Sequence, residues 1–295
     1  MTKVASIIVA YNGEKWIRHC LDSLLQSSFQ TDIFVIDNAS ADLTTNIIKD
    51  EYLDVTLFKS EENFGFGKAN NLMFERLYKV NYDYFFLLNQ DAWVEKNCIY
   101  QLVDFMEKYP EYGILSPLHY NKNFSEIDFN FKEYLSKGKK INEIENVPFV
   151  NAAAWLLSKS CLEKVGLFNP YFRHYGEDRN YCNRVEYKGF KIGILSKAKA
   201  NHDRNRVTDL NKIIKLAEIK LNCILLNPGN NFITACLNAL KNVFGIPKYF
   251  HKTLPFSQVV EIFLRLSKHY AELFFSSEIR KNRKAQKEDA FLIKE

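Results

Sequence analysis

The 295-residue chain has six cysteines, at 20, 98, 161, 182, 223 and 236, and none stands at the paired spacings of a metal site. Scattered thiols exclude a disulfide scaffold and point to reduced, buried cysteines in a cytosolic protein. Nowhere do 18 apolar residues run together, and the run Val4–Ala10 near the N-terminus is too short for a signal-peptide core. Neither a spanning helix nor a secretion signal is expected. The loop after that run holds one glycine, Gly13, where an NAD-linked dehydrogenase or a nucleotidyltransferase would carry a glycine-rich phosphate loop. No Ser-His-Asp or Cys-His arrangement can be placed, which argues against a covalent mechanism. The net charge of +5 is too small to imply nucleic acid, although it suits an anionic substrate or membrane surface.

What is present is enough apolar sequence for a packed core, 47% of residues, arranged in alternating runs. Residues 4–10 are β-branched and end at Tyr11-Asn12-Gly13; helical spacing of Trp16, Ile17, Cys20, Leu21, Leu24 and Leu25 follows over 14–26. The unit recurs as a strand at 33–36, the turn Asp37-Asn38-Ala39-Ser40 and a helix at 42–49. It recurs again as a strand at 55–59, a loop at 61–67 and a helix at 68–79. A fourth strand, residues 84–88, is apolar throughout, as strands buried on both faces are, and ends in Asn89-Gln90-Asp91. A helix at 98–109 and a strand at 112–116 come next, and 117–146 has no clear period and reads as a mobile hairpin or flap. Helices at 159–165 and 179–187 and a strand at 191–195 complete the pattern, which predicts an α/β fold with a doubly wound, mostly parallel sheet.

Open α/β sheets bind ligands beyond the carboxyl ends of their strands. There this chain places Tyr11 and Asn12, Asp37 and Asn38, the loop from Asn63 to Gly67, and Asn89 with Asp91. Asn and Asp also form ordinary turns, and Gly65 and Gly67 suit a plain β-to-α connection, so each has a structural account when taken alone. Together they describe a donor crevice in which glycine lets backbone approach a ligand and the next helix offers its amides. Asn70, a poor helix-interior residue, belongs with them. Asp91 is a hard oxygen donor suited to Mg²⁺ or Mn²⁺; His202, beyond a later strand, could complete that site, and Arg204 or Arg206 could clamp a pyrophosphate. Glu177 and Asp178 open a helix: they are either caps on its dipole or a general base with a loop-anchoring partner. The run Asn151-Ala152-Ala153-Ala154 is tight packing or the lining of an acceptor pocket.

These segments make the chain resemble a family 2 glycosyltransferase of the GT-A fold, especially the bacterial rhamnosyltransferase-type members. The resemblance rests on Val9-Ala10-Tyr11-Asn12, Val35-Ile36-Asp37-Asn38-Ala39-Ser40, the segment from Asn63 to Asn71, Leu88-Asn89-Gln90-Asp91 and Tyr175-Gly176-Glu177-Asp178, in family order. It covers roughly residues 3–206, which defines a GT-A domain at 1–206 and a C-terminal helical extension at 207–295. It implies that Tyr11 and Asn12 border the nucleotide base, that Asp37 hydrogen-bonds base or ribose, and that the loop from Asn63 to Asn71 holds the donor. Asp91 matches the last acidic position of the Asp-X-Asp metal motif, His202 a downstream metal-ligand position, and Asp178 the catalytic base. Asn89 replaces the first acidic residue, which leaves one carboxylate for the metal. The implied reaction is inverting transfer from a nucleotide-diphosphate sugar, dTDP- or UDP-linked, to a glycan or lipid-linked glycan acceptor in bacterial surface polysaccharide synthesis. The competing reading is a relative that binds nucleotide-sugar without turnover.

In the last third, residues 210–226 and 257–275 have amphipathic helical patterns, and Arg280, Lys281, Arg283, Lys284 and Lys287 form a basic cluster. Phe244, Tyr249, Phe250, Leu254 and Phe256 lie between the two patterns. Helix packing or a homodimer is one account of these features. The other is peripheral contact with the inner face of a membrane, aromatics in the interface and the basic cluster on anionic head groups.

Overall fold

The computed structural model describes residues 2–141, 143–203 and 209–293. Its centre is a ten-stranded sheet that begins with β1 (Val4–Ala10), β2 (Asp32–Asp37), β3 (Thr56–Lys59) and β4 (Tyr84–Asn89). These four pair in parallel in the order β3-β2-β1-β4. The helices between them are α1 (Ile17–Leu25), α2 (Thr44–Glu51) and α3 (Gly65–Leu77). Alternation along the strands sorts the core into two layers. In β4, Phe86 and Leu88 pack with α1 and α2 on one face, while Phe85 and Leu87 pack with Met73, Phe74 and Leu77 of α3 on the other.

Beyond β4 the sheet is mixed. After β5 (Ala92–Val94) and α4 (Cys98–Lys108), β6 (Tyr112–Tyr120) is reached, and β9 (Ala154–Ser158) lies antiparallel between β4 and β6. Helices α6 (Lys159–Val165) and α7 (Glu177–Tyr187) follow, and β10 (Lys191–His202) runs parallel to β6. The stretch 117–146, expected as an irregular flap, is instead regular. It extends β6, forms α5 (Phe129–Lys137) and closes with the edge hairpin of β7 (Lys139–Ile141) and β8 (Ile144–Asn146). One side chain anchors it: Phe131 is fully buried and stacks on His119 at 4.1 Å between ring centroids. A helix that buries one residue leaves no apolar period to read.

Four further helices, α8 (Leu210–Leu225), α9 (Phe232–Phe250), α10 (Phe256–Phe275) and α11 (Ser277–Lys287), build a separate apolar cluster around Leu221, Ala235, Ala239, Ile262 and Leu266. Phe244, Tyr249 and Phe250 lie within α9 rather than between helices, despite Gly245 and Pro247. Arg283 does not belong to an exposed basic cluster. It is 7% exposed, and its guanidinium donates to the carbonyls of Leu225, Asn227 and Asn230, satisfying acceptors left open at the end of α8. The C-terminal segment also ties back to the layers around the sheet, where Leu167 N donates to Phe291 O at 2.8 Å. All six cysteines are unpaired and buried. Among the described residues, no helix is long and apolar enough to cross a membrane.

Candidate active site

A cleft of about 380 Å³ opens at the carboxyl ends of β1, β2 and β4 and faces the start of α7. Tyr11, Asn38, Asn63, Gly65, Asn89, Asp91, Glu177 and Asp178 all line it. Segments more than 80 residues apart in sequence therefore meet in one place.

The strand-end loops hold one another in position. Gln90 bonds the backbone of Tyr11 twice, accepting from its N–H and donating to its carbonyl, each at 2.9 Å. Asn63 Oδ1 accepts from Gly65 N at 2.9 Å, and Asn38 Nδ2 donates to Gly65 O at 3.4 Å. Gly65 has φ +74°, and a Cβ there would meet the Arg173 carbonyl at 2.4 Å, so only glycine lets these two backbones approach.

Other candidates sit behind the lining. Asn12 has φ 48° and joins the first loop to the second, its N–H donating to Ser40 Oγ at 2.9 Å and its Oδ1 accepting from Ala41 N at 2.8 Å. Asp37 is 2% exposed; its Oδ2 accepts from Ser40 N at 3.1 Å, while its Oδ1 and the Oδ1 of Asn38 have no partner. Asn70 is buried in α3 and donates to Phe66 O at 2.9 Å, one turn back. Gly67 faces protein, since a Cβ there would meet Phe168 at 3.3 Å and Glu177 at 3.5 Å. Arg204 and Arg206 lie outside the described residues.

Asp91 and His202 are brought together by the antiparallel pairing of β5 with β10, in which Ala92 stands opposite His202. The two side chains are 3.3 Å apart, Nε2 to Oδ1, with Asp91 on the cleft and His202 buried. His202 Nδ1 has no partner. Among the described residues no group of three or more His, Cys, Asp or Glu side chains is placed to hold a metal, and Asp91 with His202 is the pair they offer at this cleft.

Opposite Asp91, α7 starts at Gly176, which has φ +91°. A Cβ there would meet Ile219 of α8 at 2.6 Å and Phe172 at 2.9 Å, and the Cys223 thiol of α8 donates to the Gly176 carbonyl at 3.6 Å. The first turn of α7 is thus set by a C-terminal helix. Glu177 is 8% exposed, with Oε2 unpartnered, and burial followed by the neighbouring Asp178 pushes its carboxyl up to about 7. Asp178 accepts from Arg179 N at 2.6 Å and lies on the cleft. The two acidic neighbours differ: Glu177 is buried with its carboxyl pushed up to about 7, and Asp178 faces the ligand space.

Gln90, Asn151, Ala152, Ala153 and His174 also line the cleft. Of these, the Asn-Ala run is the one whose sequence suggests a pocket lining. Gln90 carried no signal beyond its place between Asn89 and Asp91.

Residues 6–166, more than half of the chain, match the family model described as Glycosyl transferase family 2. The teichoic acid poly(glycerol phosphate) polymerase of Staphylococcus epidermidis is 27% identical over 152 residues, which are 48% of this chain and 20% of that protein. The chain therefore spans about a fifth of that relative's length. The low-salt glycan biosynthesis hexosyltransferase Agl10 of Haloferax volcanii is 23% identical over 210 residues, 67% of this chain and 66% of that one. Among solved structures, the mannosyltransferase PcManGT from Pyrobaculum calidifontis, in complex with GDP-Man and Mn²⁺, superposes with a TM-score of 0.62 at 15% identity, covering 97% of this chain and 84% of its own. That likeness establishes the shared GT-A fold, and with the family model matching most of the sheet and its strand-end loops, the chain belongs to glycosyl transferase family 2.

Proposed function

We propose that this protein transfers a sugar, as a rhamnosyl- or hexosyltransferase, from a dTDP- or UDP-linked donor to a hydroxyl of a glycan or lipid-linked glycan, with inversion. The setting is bacterial surface polysaccharide synthesis at the cytoplasmic side, with residues 1–206 as the catalytic domain and 207–295 as a helical extension. The observation that carries this reading is a cleft that sets Asp178 against Asp91 across the strand-end loops.

The roles follow from position. Tyr11, Asn38 and Asn63 border the nucleoside, and the unpartnered oxygens of Asp37 and Asn38 are free to accept from a base N–H or a ribose hydroxyl. Asn12, Gly67 and Asn70 act behind them by fixing the loops, and Asn89 faces the donor directly. Asp91 and His202 would hold a divalent cation through one carboxylate and one imidazole. When bound, Mn²⁺ or Mg²⁺ supplies charge neutralisation at the diphosphate leaving group. Asp178 takes the proton from the acceptor hydroxyl, which attacks the anomeric carbon from the face opposite the leaving diphosphate. Glu177, its carboxyl pushed up to about 7 by burial, carries less negative charge beside that base than an exposed glutamate would. A single displacement of this kind needs no protein nucleophile.

A thermal-shift screen of nucleotide-sugars with Mn²⁺, followed by donor turnover with and without EDTA, tests this reading. Stabilisation by one nucleotide class with chelator-sensitive turnover is expected. Absence of any shift overturns the donor site, undiminished turnover in excess chelator removes the cation, and binding without turnover favours the non-catalytic alternative.

A further inference from the structure

The outer face of the C-terminal helices is apolar and uncovered. On α9, Ile233, Leu237, Leu240 and Phe244 recur at helical spacing, and Ile233 and Phe244 are 73% and 58% exposed. On α10, Phe256 and Leu264 are 78% and 60% exposed, and Phe244 meets Phe263 at 5.4 Å between centroids, which joins the two stripes into one face.

The charge on α9 and on the turn that follows it has one sign. Between Glu218 and Glu261 the sequence has no Asp or Glu, while Lys241, Lys248 and Lys252 are exposed and, among the described residues, make no ion pair. The basic residues of α11 belong to the other end of the hairpin, since Arg280 lies 5.9 Å from the ring of Phe232, the first residue of α9. The aromatic tip must therefore rely on its own lysines.

The direction of the tip is fixed by packing against α8. His269 of α10 contacts Asn222 at 2.8 Å and Arg265 contacts Glu218 at 3.5 Å, so the two helices run parallel. Phe256 then stands level with the start of α8, beyond Lys215, whose ammonium sits over Tyr175 on the cleft lining. At 1.5 Å per residue, Phe256 lies roughly 10 Å farther along the helix axis than Lys215.

We propose that the α9–α10 hairpin lies in the interface of an anionic lipid bilayer, apolar face down, with Lys241, Lys248 and Lys252 on the head groups, turning the mouth of the cleft toward the membrane. A second copy of this chain would have to bury Lys241, Lys248 and Lys252 against a hairpin whose α9 offers them no acid. The proposal rests on the transferase reading only for the meaning of the cleft mouth; attachment itself needs no substrate.

Point variants of the full chain are the proper test, since truncation would remove Arg283 and Phe291 from their partners. The experiment is co-sedimentation with vesicles of phosphatidylcholine alone and of equimolar phosphatidylcholine and phosphatidylglycerol at low salt, with thermal melts as the folding control. The wild type should bind the anionic vesicles only. Lys248→Gln with Lys252→Gln should weaken binding by roughly 25-fold, at about fivefold per charge, and Phe244→Ser with Phe256→Ser should weaken it at least as far. Equal binding to both vesicles, binding to neither, or folded variants that bind like wild type overturns the proposal. So does a solution dimer that Phe244→Ser with Phe256→Ser dissociates while vesicles go unbound. Asp178→Asn should bind vesicles as wild type does, so the failure of either reading is seen separately from the other.

Discussion

The two walls of the cleft are built differently. The donor wall is made of short loops that follow consecutive strands and are stitched to one another: Asn12 to Ser40, Gln90 to Tyr11, Asn38 to Gly65. The wall carrying Asp178 depends on distant chain, because Gly176 rests on Ile219 and Cys223 of α8, and Asn180 of α7 donates to Gln286 of α11 at 2.8 Å. On the proposed reading, nucleotide binding is a property of the parallel sheet, while the placement of Asp178 is set by the C-terminal helices. Damage to one wall should leave the other working.

The largest expected effect isolates the second wall. Asp178→Asn should lower kcat by about 10²–10⁴-fold, the usual contribution of a positioned base, with donor affinity unchanged by calorimetry. Retention of more than a small fraction of wild-type kcat would move the role to Glu177.

Next is the cost of keeping Glu177 buried. Its folded pKa is raised from 4.5 to about 7, so the folded state holds the proton more tightly than the unfolded chain does. Stability is therefore greatest below the unfolded value and falls as pH rises from about 4.5 to about 7. Glu177→Gln should melt higher than wild type at pH 8, by up to about 3 kcal/mol, and the two should converge near pH 4. A difference independent of pH would show that charge is not the cause.

Gly176→Ala strains a left-handed position and pushes on Ile219, and should destabilise the protein by about 1–3 kcal/mol. If the walls are separate, kcat falls while donor affinity stays within twofold or so. A matching loss of affinity would join them into one unit.

The smallest effect belongs to the first wall. Asp91→Ala should weaken donor binding by about tenfold, or about 1.4 kcal/mol, and abolish the response to Mn²⁺, with His202→Ala milder in the same direction. Calorimetry with and without chelator reads both.

The same division governs what could be read from the sequence. The donor wall was legible because apolar runs ending in Asn or Asp mark strand ends, and the topology of a parallel sheet brings consecutive ends together. Asn70 was legible as unusual but not in its use: it faces inward, and its neighbour Asn71 exchanges two hydrogen bonds with the backbone of Phe168. Gln90 acts through a partner 79 residues away, for which spacing gives no sign. Arg283 looked like one cation in a basic run, and only the carbonyls at the end of α8 distinguish it. The flap became α5 because a single buried phenylalanine is enough to fix a helix yet too little to make a pattern.

The bridge from Asn180 through Gln286 to the Leu226 carbonyl also concerns the order in which the chain is made. The sheet and both walls of the cleft leave the ribosome well before residues 283–293, yet α7 and the turn at Leu167 wait for those residues to receive their last hydrogen bonds. A nascent chain therefore holds a nearly finished donor site beside a base that has not been locked in place. On the proposed reading, the donor wall is in place before the wall that carries Asp178 receives its last support from α11.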